Sequence, residues 1–161
     1  MADPLSFSED LDRQRARVLR AVRQAGTGWA HAMRAHKLAP PDQDFAQRLR
    51  ALAEAATSEQ VAWELANAAG LLWRPVPGAE RAEPPYELQP GTGRRGPAEL
   101  WTRFDAAVAT LNRAITGSSA AQVSDAFGEV GEAARALAGA VAREDESAAH
   151  EGSRSRARGA A

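Results

Sequence analysis

The chain has 161 residues, no cysteine, a formal net charge of −1 and 44% hydrophobic residues. This length suits one domain that buries about two-thirds of its unfolded surface, and the absence of cysteine excludes disulfides and thiolate metal sites. The near-zero net charge provides no long-range attraction to nucleic acid or membranes, and no apolar run reaches the ~18–20 residues of a membrane span.

The first residues lack both the basic and the apolar region of a signal peptide, so we expect a cytoplasmic protein without a membrane association. Lys37 is the only lysine among 20 basic residues. Together with abundant alanine, glycine and proline, this bias is typical of a GC-rich bacterial genome, such as an actinobacterial one. It indicates codon usage and carries no functional information.

Hydrophobic residues recur at alternating steps of three and four in four stretches of the chain. This spacing places them on one stripe of an α-helix, which can bury one face against a partner. The sequence therefore predicts an all-α fold, an antiparallel four-helix bundle within a single domain, 1–143. The four stripes are Leu11, Val18, Val22, Ala25, Trp29, Ala32 and His36; Phe45, Leu49, Leu52, Ala56, Trp63 and Ala66; Trp101, Phe104, Val108, Leu111 and Ile115; and Val123, Phe127, Val130, Ala134, Leu137 and Val141.

Helix 1 has a capping box at residues 6–9, where Ser6 and Glu9 would satisfy free backbone N–H groups. Its stripe keeps phase through residues 26–28, which include two glycines, so we expect one long helix, with the glycines as the place for a kink, rather than two short helices. It should end before the two prolines at 40 and 41. Helix 2 should begin at Asp42 or Asp44 and end with Gly70 as its C′ residue.

Helix 3 is predicted to begin with Pro97 at its first position and to end at Gly117. Ser119 and Gln122 form a second capping box, so helix 4 should follow after a tight turn. Three glycines in helix 4 reduce its intrinsic stability but permit close approach of another backbone. They are Gly128, Gly131 and Gly139.

Residues 71–96 contain five of the nine prolines and separate helix 2 from helix 3. Prolines disfavour helix in the residues before them, and two short runs at 71–76 and 85–88 favour extended backbone. We expect this insertion to form an irregular hairpin or to lie as extended segments on the bundle. Residues 144–161 have no apolar residue larger than alanine, which predicts a disordered charged tail.

The run at residues 91–96 has the outer glycine spacing of a phosphate-binding P-loop. Pro97 and Ala98 stand where that loop requires lysine and serine or threonine, so a nucleotide-triphosphate site is excluded. A weaker hypothesis is that Arg94 and Arg95 hold an anion at the start of helix 3. A solvated linker is the more ordinary interpretation.

No catalytic or metal-binding constellation is recognisable in the sequence. His31 and His36 lie about 140° apart around a helix, so they cannot share a metal on one face. His36 is expected to be a helix-end residue with a local hydrogen bond. No Gly-x-Ser-x-Gly or Glu-x-x-His motif is present, so we predict neither an enzyme nor a cofactor.

The segment from Arg13 to Lys37 contains seven basic residues and no acid. The simplest expectation is that helix 1 lies beside acidic helices and forms exposed ion pairs with them, worth about 0–1 kcal/mol each. A weaker alternative is that helix 1 and an arginine-rich tail contact nucleic-acid phosphates. The basic residues of that tail are Arg154, Arg156 and Arg158.

Three of the four tryptophans fall on the apolar stripes and are expected in the core. Trp73 and Tyr86 lie in the proline-rich insertion, where they would either cover the end of the bundle or form a contact surface. We therefore predict a non-catalytic interaction or regulatory protein, with a protein partner or self-association at Trp73, Tyr86, Arg94 and Arg95. The alternatives are an accessory nucleic-acid binder and, less favoured, a small-ligand-binding bundle.

Overall fold

The computed structural model describes residues 4–38, 44–70 and 94–159, which form four α-helices and no strand. The helices are α1 (Pro4–Leu38), α2 (Phe45–Ala68), α3 (Ala98–Ile115) and α4 (Ala120–Gly159). α1 packs on α2, α2 packs on α4, and α3 packs on α4. The all-α prediction is confirmed.

The four predicted stripes meet in one hydrophobic core, except at Leu11, the first residue of the first stripe, which is 37% exposed. Trp29, Trp63 and Trp101 are 0%, 6% and 5% exposed, as the phase of their stripes predicted. The indole of Trp29 meets the ring of Phe127 edge-on, with 5.6 Å between the ring centroids. Since each enclosed aromatic side chain buries about 150–250 Å², these residues compensate for the many alanines in the core.

The ends of the helices agree with the predicted ends at some positions and differ by a few residues at others. α1 is one helix through Gly26 and Gly28, although it begins at Pro4, earlier than the predicted cap at Ser6. Gly70 follows α2 with a φ of +70°, the left-handed conformation of a C′ glycine. Pro97 immediately precedes α3 instead of being its first residue.

The predicted capping box between α3 and α4 is present. The backbone N–H of Ser119 donates to the side-chain oxygen of Gln122, with 3.1 Å between the heavy atoms. The backbone N–H of Gln122 donates in turn to Ser119 Oγ, at 3.4 Å. This reciprocal pair satisfies N–H groups that have no partner inside the helix and fixes where α4 begins.

The sequence placed the end of helix 4 too early. α4 continues past Arg143 to Gly159, through most of the stretch for which we predicted disorder. No residue between Glu144 and Arg154 is buried. This part of the helix is therefore supported by the high helix propensity of its alanine, glutamate and arginine residues rather than by core packing.

We predict that Trp101→Ala lowers the free energy of unfolding by roughly 3–5 kcal/mol, the usual effect of removing a buried aromatic side chain. Val61→Ala is the control, because Val61 is 50% exposed and its truncation should change stability by less than about 1 kcal/mol. Denaturant unfolding followed by far-UV circular dichroism measures both. Equal losses in the two variants would contradict the core position of Trp101.

Candidate functional site

Arg94 and Arg95, predicted to bind a partner or an anion, both make ion pairs within the chain. Arg94 Nη1 lies 2.6 Å from Asp105 Oδ2 on α3, and its guanidinium lies 4.5 Å from the centre of the Trp101 ring. Arg95 pairs with Asp145 on α4, and its carbonyl accepts a hydrogen bond from Trp101 Nε1 at 2.8 Å. The Arg94 contacts therefore hold the segment before α3 against α3 itself, and the Arg95–Asp145 pair connects this segment to α4.

The glycine at position 96, the last of the glycine-rich run, has a structural role that involves no ligand. Its φ of +108° is one that other residues rarely adopt. A Cβ at this position would lie only 3.2 Å from Val141 Cγ2. Gly96 therefore lets the chain pass close to α4 before α3 begins. Trp73 and Tyr86 lie outside the described residues.

His36 lies in an aromatic cluster where the ends of α1, α2 and α3 meet. Its ring stacks on Phe45, at 5.4 Å between centroids, and on Trp101, at 5.9 Å. His36 Nδ1 is buried, and no described residue forms a hydrogen bond with it. The local hydrogen bond expected at this helix end is therefore not formed in the described part of the chain.

The surroundings of His36 favour the neutral imidazole. Its pKa is lowered from 6.5 to about 4, mainly by burial and in addition by the positive charges of Arg48, Arg94 and Lys37. A neutral ring stacks on aromatic neighbours without the cost of burying a charge. Within the described residues, no group of three histidines, aspartates or glutamates could hold a metal ion.

Glu59 is a buried carboxyl group that the sequence analysis missed. It is 3% exposed on α2, and its Oε1 accepts a hydrogen bond from Trp63 Nε1 at 3.0 Å. Oε2 is buried and has no hydrogen-bond partner among the described residues. The signal was present, because position 59 continues the stripe of Ala56 and Trp63.

Gly26 of α1 leaves the space that the Glu59 carboxyl occupies. A Cβ on Gly26 would lie 3.4 Å from Glu59 Oε1. Burial raises the pKa of Glu59 to about 7, although the hydrogen bond from Trp63 acts in the opposite direction. A group at the contact between α1 and α2 thus titrates close to neutral pH.

The basic residues of α1 face solvent rather than acidic neighbours. Arg13 lies 3.8 Å from Asp10 of the same helix. No ion pair connects α1 to another helix in the part of the chain that the structure describes, which contradicts the expected inter-helix pairs. The exposed basic side chains are Arg13, Arg15, Arg17, Arg20, Arg23, His31, Arg34 and Lys37.

An open apolar groove runs along the contact between α1 and α2. Apart from Gln24, its floor and α1 side consist of small side chains, and its α2 side carries Val61 and Leu65, which are 50% and 51% exposed. Exposed apolar side chains that lie together are candidates for an interaction surface. The groove residues include Ala21, Gln24, Ala25, Gly28, Val61 and Leu65.

Comparison with known proteins does not assign a function to either surface. The chain matches no family model, no curated protein and no solved structure. None of the described helices is long and apolar enough to cross a membrane.

We predict that Glu59→Gln stabilises the protein increasingly as pH rises. Because the pKa of Glu59 is raised from 4.5 in the unfolded chain to about 7 in the folded protein, the free energy of unfolding of the wild type falls as pH rises between these two values. The difference corresponds to about 3 kcal/mol. Urea unfolding of both proteins between pH 5 and pH 8 should show a growing advantage for Glu59→Gln. An advantage independent of pH would contradict a buried, titrating carboxyl.

We predict that His36→Phe stabilises the protein relative to the wild type at acidic pH. The pKa of His36 is lowered on folding, so the wild type loses stability as pH falls from 6.5 to about 4. Phenylalanine retains the stacking and does not titrate, so the variant should gain up to about 3 kcal/mol over the wild type across this range. Urea unfolding at pH 7.5 and pH 4.5 measures the gain. The prediction fails if the difference between the two proteins is the same at both pH values.

Proposed function

We propose that this chain is a non-catalytic interaction protein of the bacterial cytoplasm, with a regulatory role, and that α1 carries its main binding surface. The observation behind this proposal is the solvent-facing row of arginines on α1, which no described acid of another helix neutralises. Rows of one charge steer and orient an oppositely charged partner. The partner is then an acidic protein surface.

We also infer that the four helices form an antiparallel bundle. Antiparallel neighbours contact each other in reverse order: as the residue number rises along one helix, the number of the residue it contacts falls along the other. This holds between α1 and α2 and between α2 and α4. The supporting pairs are Gly26 with Glu59 and His36 with Phe45, and then Thr57 with Arg135 and Gln60 with Ser124.

The antiparallel arrangement determines how far apart the residues on either side of the proline-rich insertion lie. Trp101, near the start of α3, lies 6.2 Å from Phe45 at the start of α2. Gly70 and Arg94 are then at opposite ends of the bundle, separated by about the length of α2, or roughly 36 Å. We propose that Trp73 and Tyr86, in the segment that joins these two residues, offer a second contact surface.

Nucleic-acid binding is the second candidate. The arginine row on α1 has the charge that phosphate contacts require. The net charge of −1 argues against it, because nonspecific nucleic-acid binders depend on a basic overall field. We therefore rank an acidic protein partner first.

The replacement Arg17→Ala/Arg20→Ala/Arg23→Ala should reduce retention of cellular protein by the immobilised full chain at least about tenfold. The matched control is Arg103→Ala/Arg113→Ala/Arg135→Ala, three exposed arginines on α3 and α4, which should retain protein normally. Retention is measured after nuclease treatment, with helicity checked by circular dichroism.

Two outcomes would contradict this assignment. If only Trp73→Ala/Tyr86→Ala abolishes retention of cellular protein, the binding surface is the proline-rich insertion and not α1. Retention of labelled DNA or RNA that falls steeply as salt rises, with no nuclease-resistant protein, would establish the nucleic-acid alternative.

A further inference from the structure

The groove between α1 and α2 has the shape that receives a helix. Ala21, Ala25 and Gly28 follow one another at steps of four and three, so they lie on one face of α1 and keep that side of the groove shallow. Val61 and Leu65 are four residues apart and form a ridge along the α2 side. A ridge beside a shallow channel is the surface into which the side chains of another helix pack.

The charges next to this groove have one sign on the α1 side. Arg17 lies four residues before Ala21, and Arg20 lies four residues before Gln24, so both are one turn from the groove along the same helix. Both are exposed. On α2 the exposed acids along the groove are Glu54, one turn before Ser58, and Glu64, which lies next to Leu65. Glu64 is on the side of the groove near Arg17 and Arg20, and the two arginines outnumber it, so this end of the groove carries a net positive charge.

We propose that this groove binds an amphipathic α-helix of a partner protein, with its apolar stripe on Val61 and Leu65 and its acidic residues facing Arg17 and Arg20. The proposal rests on the interaction function argued above and names the chemistry of the partner. Recognition of this kind uses apolar anchors at steps of three and four, with charged residues along the rim.

Charge also selects between this partner and a second copy of the chain. A symmetric dimer through this face would place the same patch against itself, and the patch carries Arg17 and Arg20 on its α1 side. A dimer in which the two α1 rims face each other is unfavourable because the arginines repel, whereas an acidic helix is attracted to this rim in either direction. The occupant is accordingly a different, acidic protein.

The test uses two synthetic helical peptides of about 18 residues, or roughly 27 Å of helix. Both have leucine at alternating steps of three and four; one has glutamate and the other lysine at the flanking positions. Fluorescence anisotropy with the full chain should show binding of the glutamate peptide at least about tenfold tighter than the lysine peptide. Equal binding of both peptides, or no binding of either, would overturn the proposal.

Variants of the full chain locate the site. Val61→Glu/Leu65→Glu and Arg17→Glu/Arg20→Glu should each weaken glutamate-peptide binding at least about tenfold. The matched control, Arg103→Glu/Arg113→Glu, reverses two exposed charges on α3 and should leave binding unchanged. The Arg17→Glu/Arg20→Glu variant should also bind the lysine peptide more tightly than the wild type does.

The remaining outcomes assign the groove differently. A molecular mass that rises with concentration and falls in Val61→Glu/Leu65→Glu would assign it to a second copy. Peptide binding that appears only in Trp73→Ala would assign it to the chain's own residues 71–93. Cellular protein retention that needs the α1 arginines but survives Val61→Glu/Leu65→Glu would keep the proposed function and overturn the groove.

Discussion

The close contact between α2 and α4 is the constraint on which the rest of the structure depends. A Cβ at Gly131 of α4 would lie 3.5 Å from Ala56 Cβ and 3.6 Å from the carbonyl oxygen of Ala53, so the two helices meet through small residues. Among the described helices, the backbone of α1 approaches only α2, and the backbone of α3 approaches only α4. Side chains of α1 also reach Phe127 of α4 and Trp101 of α3, but the backbone of each outer helix is positioned against one member of this central pair. Glycine in a helix costs about 0.5–1 kcal/mol, which the close packing of the two helices offsets.

Much of this arrangement could be predicted because it is local. The 3–4 stripes, the C′ glycine at position 70 and the Ser119–Gln122 capping box each depend on residues within one or two helical turns. The role of Gly131 was also readable, because a glycine inside a strong apolar stripe indicates close approach of another backbone. What the pattern could not show was which helix makes that approach.

The features that sequence reasoning missed depend on contacts between distant residues or on competing local effects. The ion pairs of Arg94 with Asp105 and of Arg95 with Asp145 join residues that are distant in the sequence, so no local pattern predicts them. Glu59 lies in phase with its stripe, but a carboxyl at an apolar position suggests a break in the pattern unless a tryptophan donor and a facing glycine are known. The end of α4 was misjudged because the absence of large apolar residues was taken to outweigh the helix propensity of alanine and arginine.

The attachment of α1 to α2 is where stability and binding meet. Glu59 lies at this contact with a pKa of about 7, so near neutral pH a fraction of the molecules holds a buried negative charge there. Two residues of α2 that line the groove lie close to Glu59 in the sequence. Ser58 is its direct neighbour, and Ala62 follows Ser58 by one helical turn. A helix that contacts both α1 and α2 across this groove binds only when the two are packed together, so its binding energy stabilises that packing by mass action. A partner in the groove would therefore stabilise the contact between α1 and α2, at which Glu59 is buried.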